Sequence, residues 1–324
     1  MEKTDPMKSI KKKTGGKLQS ARRKEYLKSY LGLLPFFTLF FVFMLYPFIY
    51  GIVMSFTDWS VSSRGEIRFT GSENYRFILS GEGVSSERFL TALKNLFIYV
   101  PTTLLIGMTI ALFLALIVNH LGKRGYGFFR GVFFTPYVLP LFIGVGIWQW
   151  FMTPGTGRVS NFFASIGIGT GVDWANTAIY AILMVVMIDV WHATGFNFVI
   201  INAGTKDIPP DLYEAAELDG ASSWQKMRYI TIPLLEPILF MVITYGFISA
   251  LQVYDIPWIL SGTGDYNSIG GPGQVMLFPV MEMVRNVYLG TPSGLGRAAA
   301  EGVILMSVIL LITLIQFRFR RRKV

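Results

Sequence analysis

Long apolar stretches, separated by polar connections, set the pattern of this chain. The first runs from Tyr30 to Thr57, and others span about 95–121, 131–152, 175–203, 230–254 and 302–317. The fourth carries Asp189 and His192, and the fifth has Glu236 near its start. A hydrocarbon core about 30 Å thick needs roughly 20 apolar residues in a helix, and these runs are of that order. In hydrocarbon the backbone must satisfy its own N–H and C=O groups, and the period-two alternation of a barrel is absent. The pattern predicts an all-α polytopic membrane protein with six transmembrane helices.

Composition agrees. Hydrophobic residues make up 52% of the 324, aromatic residues 15% and charged residues only 15%, with a mean hydropathy of +0.48, too apolar for a soluble domain. Without cysteine neither disulfides nor thiolate-bound metal can brace the fold. The net charge of +9 sits mostly in two tails: ten Lys and Arg from Lys3 to Lys28, and Arg318, Arg320, Arg321, Arg322 and Lys323. Such clusters suit anionic lipid heads rather than nucleic acid. By the positive-inside rule both termini are expected in the cytoplasm, as is the connection holding Lys123, Arg124 and Arg130, while the charge-balanced segment 58–94 is expected outside. The expected layout is a basic, disordered tail over 1–28, a transmembrane domain over 29–319 and a basic tail over 320–324. The first apolar run is longer than the 7–15 residues of a signal h-region, so it reads as a retained helix.

The connection between the fourth and fifth runs has the strongest local grammar. Pro209-Pro210 halts what precedes, and Asp211 with Glu214 has capping-box spacing, which predicts a short helix starting at Asp211. Gly220 can take the positive φ that closes a helix, and Ser222 with Gln225 repeats the box. Helix, tight turn, helix results. Leu212, Ala215 and Ala216 share one face, and Trp224, Met227, Tyr229 and Ile230 offer apolar surface. Spacing alone fits both a docking element for a soluble partner and an interfacial helix pair.

Asp189 and His192 lie three apart, so they are expected to share an interior face and to pair. They also support an alternative reading, an ion-coupled secondary transporter using Asp189/His192. Glu236 reads as a solvated or Arg-paired carboxylate. No catalytic constellation is present: there are two histidines, no HExxH, and Gly15-Gly16-Lys17-Leu18 lacks the spacing and hydroxyl of a phosphate-binding loop. The chain is not expected to be an enzyme, or to bind a cofactor or metal.

Ile208-Pro209, Leu212-Tyr213-Glu214-Ala215-Ala216, Asp219-Gly220-Ala221, Ile230-Thr231-Ile232-Pro233 and Pro237 together resemble the EAA loop of inner-membrane permeases of binding-protein-dependent ABC importers. The resemblance extends to Ser55-Phe56-Thr57-Asp58-Trp59, Gly71 with Asn74-Tyr75, Ala92-Leu93 with Asn95, Trp191 with Gly195-Phe196, and Gly296-Arg297-Ala298-Ala299-Ala300. It covers nearly the whole chain and points to the carbohydrate-uptake (CUT1) branch, in particular to the first maltose or glycerol-phosphate type of permease. It implies a type I importer (MetI-like) transmembrane domain paired with a second permease subunit, two cytoplasmic ABC ATPases that use ATP and Mg, and an extracytoplasmic solute-binding protein that delivers a sugar. It places the protein in a bacterial or archaeal cytoplasmic membrane, with homodimerisation as the alternative to a heterodimer. The loop 208–233 would dock on the ATPase through Glu214, Ala215, Ala216, Asp219, Gly220 and Ala221. A sugar pathway would be lined by His192, Ala193, Phe196, Gly246, Ser249, Ala250 and Val253.

Overall fold

The computed structural model describes residues 26, 28–61, 67–119, 123–262, 265–290 and 293–321. Most of the basic tail expected over 1–28, the residues 322–324 and the side chains of Lys123 and Arg124 lie outside the described residues. The described chain divides into two compact units, the first ending at Met54 and the second beginning at Ser55.

The first unit is one helix, α1 (Lys28–Met54). Phe36 and Phe40, and Phe37 and Phe41, pair one turn apart with ring centroids 6.3 Å from each other, the spacing at which helical neighbours meet. A π-helical turn over Phe41–Leu45 interrupts its α-geometry.

In the second unit, α2 (Glu73–Ser80) is followed by the long α3 (Val84–Asn119). Then come α4 (Lys123–Val138), α5 (Leu141–Phe151), α6 (Arg158–Ser165) and α7 (Ala178–Lys206). A hairpin of α8 (Pro210–Leu218) and α9 (Ser223–Lys226) leads through a π-helical turn over Met227–Thr231 into α10 (Ile232–Leu251). The chain ends with α11 (Asp255–Leu260), α12 (Pro279–Tyr288) and α13 (Gly294–Arg321). Among the described residues five helical stretches are long and apolar enough to cross a membrane, and the bent pair α4–α5 makes a sixth if it counts as one span.

That bend departs from the single helix expected over 131–152. The two pieces meet at 98°. Pro136 lies within α4 and Pro140 takes extended geometry (φ −53°, ψ 127°) at the start of α5. A proline removes a backbone donor and disfavours helical geometry in the residue before it, so the ladder stops there. Two other helices outrun their apolar runs: α3 starts at Val84, with Ser86 and Arg88 buried in its first turns, and α13 starts at Gly294.

The seam between α3 and α7 holds the core. One apolar cluster gathers Tyr99, Val185, Ile188, Leu251 and Phe278; a second gathers Ala111, Ala115, Phe198, Ile201 and Leu235. Ala111 and Ala115 are one turn apart and fully buried, and small side chains let two backbones approach where lipid supplies no hydrophobic drive. At Gly195 a Cβ would lie 2.5 Å from the Phe133 carbonyl oxygen, so glycine is what lets α4 rest on α7.

Candidate functional site

Two features stand out along α7 and α10: a cavity part-way along them and the hairpin that joins them. The cavity, about 210 Å³, lies between α3, the α4–α5 bend, α7 and α10. His192, Ala193, Phe196, Gly246, Ser249 and Ala250, six of the seven expected pathway residues, line it. Positions 192, 193 and 196 share one face of α7, and 246, 249 and 250 share one face of α10, as helical spacing requires. Val253 does not join them. Helix α10 ends at Leu251, and Val253 packs against the apolar cluster in the break before α11.

Asp189 lines the cavity beside His192, whose charge acts on it as expected of a pair, while its hydrogen bond comes from another helix. Tyr99 on α3, fully buried, donates its hydroxyl to Asp189 Oδ2 at 2.7 Å. His192 also meets the Tyr137 ring, with centroids 5.4 Å apart. An aromatic run continues from Tyr137 to Phe196 at 5.1 Å and from Phe196 to Tyr245 at 5.5 Å. Tyr99, Tyr137 and Tyr245 gave no sequence signal of their own, since tyrosines are common in apolar runs and only the helix packing selects these three.

The hairpin is closed by hydrogen bonds at its turn and at the start of its second helix. Helix α8 starts at Pro210, with Pro209 extended before it and no side chain capping it. The expected box of Asp211 and Glu214 is therefore absent. Pro210 at the first helical position has no amide to satisfy and is already set to helical φ, so Asp211 falls inside the first turn, where it complements the helix dipole. At the other end Gly220 takes φ +76°, while the Ala221 amide donates to the Ala216 carbonyl at 2.9 Å and the Gly220 amide to the Glu217 carbonyl at 3.0 Å. This is a Schellman closure. The second box forms as expected: the Ser222 amide donates to Gln225 Oε1 at 2.7 Å, and the Gln225 amide to Ser222 Oγ at 3.3 Å. Lys226 donates to Glu217 Oε1 across the turn, and that hydrogen bond, then the attraction of the ammonium, lowers the Glu217 carboxyl below its usual range.

The root of the hairpin is packed into the bundle and its tip is bare. Ile208 is buried, Tyr213 and Ile230 pack on the second apolar cluster, and the Tyr213 and Thr231 hydroxyls lie 2.9 Å apart. Glu214, Ala215, Asp219 and Gly220 are exposed, while Ala216 and Ala221 are half-buried. Leu218 is 90% and Trp224 63% exposed, an unusual outlay of apolar surface on so short an element. Beyond the hairpin, Glu236 has Arg320 Nε 4.0 Å away, in line with an Arg-paired, partly solvated carboxylate.

Several of the scattered resemblance motifs are joined by hydrogen bonds outside the cavity and the hairpin. Asn74 Nδ2 donates to the carbonyls of Ser55 and Thr57 at 2.9 and 2.8 Å, Thr57 bridges Phe69, and the Gly296 amide donates to the Trp59 carbonyl at 3.0 Å. A Cβ at Gly296 would lie 2.0 Å from the Thr57 oxygen. Asn95 Nδ2 donates to the carbonyls of Gln274 and Leu277 at 2.8 and 2.9 Å. Close by, Glu282, wholly buried, takes hydrogen bonds from Arg88 and Arg285 at 2.8 Å each. In the sequence Arg88 reads as one more balancing charge of an outer segment.

Residues 87–324 match the family described as binding-protein-dependent transport system inner membrane component. The chain is 30% identical over 301 residues to the trehalose/maltose transport system permease protein MalF of Thermococcus litoralis, covering 92% of this chain and 96% of the relative. It is 29% identical over 301 residues to the sn-glycerol-3-phosphate transport system permease protein UgpA of Yersinia enterocolitica, covering 91% and 94%. A chain in the crystal structure of a bacterial alginate ABC transporter, in complex with an alginate pentasaccharide-bound periplasmic protein, shares the fold. Its TM-score is 0.75 at 22% identity, over 94% of this chain and 96% of that one. With the family matched across most of its length and the relatives nearly end to end, this chain belongs to the inner-membrane permease components of binding-protein-dependent transport systems.

Proposed function

We propose that the chain forms half of the transmembrane pathway of an ATP-driven importer for a sugar or oligosaccharide. An extracytoplasmic binding protein delivers the cargo, a second permease subunit supplies the other half, and two cytoplasmic ATPase subunits supply the energy. The termini and the α8–α9 hairpin lie on the cytoplasmic side. The relatives' named cargoes support the class, and polar groups beside aromatic rings in a cavity of the spans suit a saccharide.

The observation that carries this reading is that one continuous stretch holds both features. Helix α7 leads from the cavity into the hairpin, and the hairpin returns directly into α10, whose far half lines the same cavity. A push on the hairpin is therefore a push on two cavity walls. Closed at Gly220 and boxed at Ser222, the hairpin transmits displacement instead of absorbing it. Glu214, Ala215, Asp219 and Gly220 present its exposed surface to the ATPase, with Ala216 and Ala221 at its margin. Alternating access then follows from rocking α7 and α10, which shifts the faces bearing Phe196 and Ser249.

Gly220→Val tests the coupling. Nothing lies within 4 Å of a Cβ there, so the variant should insert normally, but a β-branched residue at φ +76° is strained by about 1–3 kcal/mol. Substrate-stimulated ATPase activity of the reconstituted transporter should be lost while the assembled protein is retained. Wild-type uptake by Gly220→Val vesicles would remove the hairpin from the mechanism.

A further inference from the structure

Resting on the coupling reading above, we infer that Asn202 is a positioning residue for transport, which makes α3 and α4 follow the hairpin along with α7 and α10. The chain itself carries a displacement of the hairpin into α7 and α10. The other cavity walls, with Gly107 and Met108 on α3 and Tyr137 on α4, lie on helices that the chain does not join directly to the hairpin. One amide side chain ties them to it. Asn202 Oδ1 accepts from the Tyr126 hydroxyl in the first turn of α4 at 2.7 Å. Its Nδ2 donates to Oδ1 of Asn119, the last residue of α3, at 3.0 Å, and to the Ala115 carbonyl at 3.5 Å. Asn119 Nδ2 donates in turn to Thr205 Oγ1, which donates to the Asn202 carbonyl at 2.8 Å. Lys206 Nζ lies 3.5 Å from the centre of the Tyr126 ring. The knot thus joins three helix ends where α7 stops at Lys206, just before the hairpin begins at Pro210.

Apolar packing does not fix the register of these helices by itself. Ala111 and Ala115 give the α3–α7 seam a smooth surface, and between helices in lipid there is no hydrophobic drive, so dispersion contacts resist separation better than sliding. Hydrogen bonds are directional and weaken steeply out of line, so a slide of about one residue's rise, roughly 1.5 Å, would break the knot. Asn202 is 2% exposed, and opening the knot would strand its amide away from water. The knot therefore stays closed while the hairpin moves, and the ends of α3, α4 and α7 travel together.

The chain contains no cysteine, so the two routes into the cavity can be read separately. Met108→Cys reports on α3, reached through the knot, and Ala193→Cys on α7, reached through the chain; both positions line the cavity and are half-buried. In the fully assembled transporter, alkylation of this chain by an uncharged methyl methanethiosulfonate would be timed in nucleotide-free and ATP-trapped states. With the knot intact, the ratio of the two rates should depart from one at both positions. In Asn202→Leu the Met108→Cys ratio should fall back to one while the Ala193→Cys ratio keeps its value, a split that a residue serving stability alone would not produce. Asn119→Ala, at an exposed position, removes two bonds of the knot and decides in the same way where Asn202→Leu does not assemble. A Met108→Cys ratio that survives untying, or that never departs from one while Ala193→Cys responds, overturns the inference and leaves the coupling reading standing. Ratios of one at both positions with the knot intact would overturn the coupling reading and the inference together.

Discussion

Single residues govern how stiff the hairpin is. Gly220 supplies the left-handed turn and Ser222 the box, while Glu217 clips the two helices together through Lys226. Because the Glu217 carboxyl sits below its usual range when folded, the clip is fully present above the ordinary carboxylate pKa. It is lost as pH falls through the lowered folded value. Hydrogen exchange of the 210–226 amides should be slower in the wild type than in Glu217→Gln at neutral pH, and the two should merge under acid. A difference that persisted or grew on acidification would contradict that assignment. At this scale the sequence was partly legible. The glycine and the Ser222–Gln225 box could be read because their signals are local. Asp211 was misplaced by one position because Pro210, a strong helix initiator, competes with it for the start.

Elements follow from apolar runs where the run is all that matters, and diverge where buried polar contacts extend or break them. The bend between α4 and α5 is written in Pro136 and Pro140, yet a hydropathy window passes over both. The early start of α3 is hidden because Ser86 and Arg88 look like loop residues until Glu282, nearly two hundred positions later, gives Arg88 a partner. That acid is the pin that ties α12 to the start of α3. Removing one member of a buried ion cluster leaves the remaining charges uncompensated, at a cost of about 3–5 kcal/mol. Glu282→Ala should therefore sharply lower the thermal midpoint of the purified complex in detergent. An unchanged midpoint would show that the cluster contributes nothing to holding α12 in place.

For the whole molecule, the pathway residues came from a family resemblance and not from spacing, and six of the seven meet in one cavity. The carboxylate's hydrogen-bond donor, Tyr99, was not legible, since α3 and α7 approach each other only through tertiary packing. Through α7 and α10 the cavity and the hairpin lie on one continuous stretch of chain, and on this the proposed coupling depends. The direct measurement places a photo-crosslinking side chain at position 218, the most exposed apolar position of the hairpin, in the fully assembled transporter. The account predicts a crosslink to the ATPase subunit whose yield changes between nucleotide-free and ATP-trapped states. A crosslink only to lipid, or an ATPase captured solely from other surfaces, would contradict it.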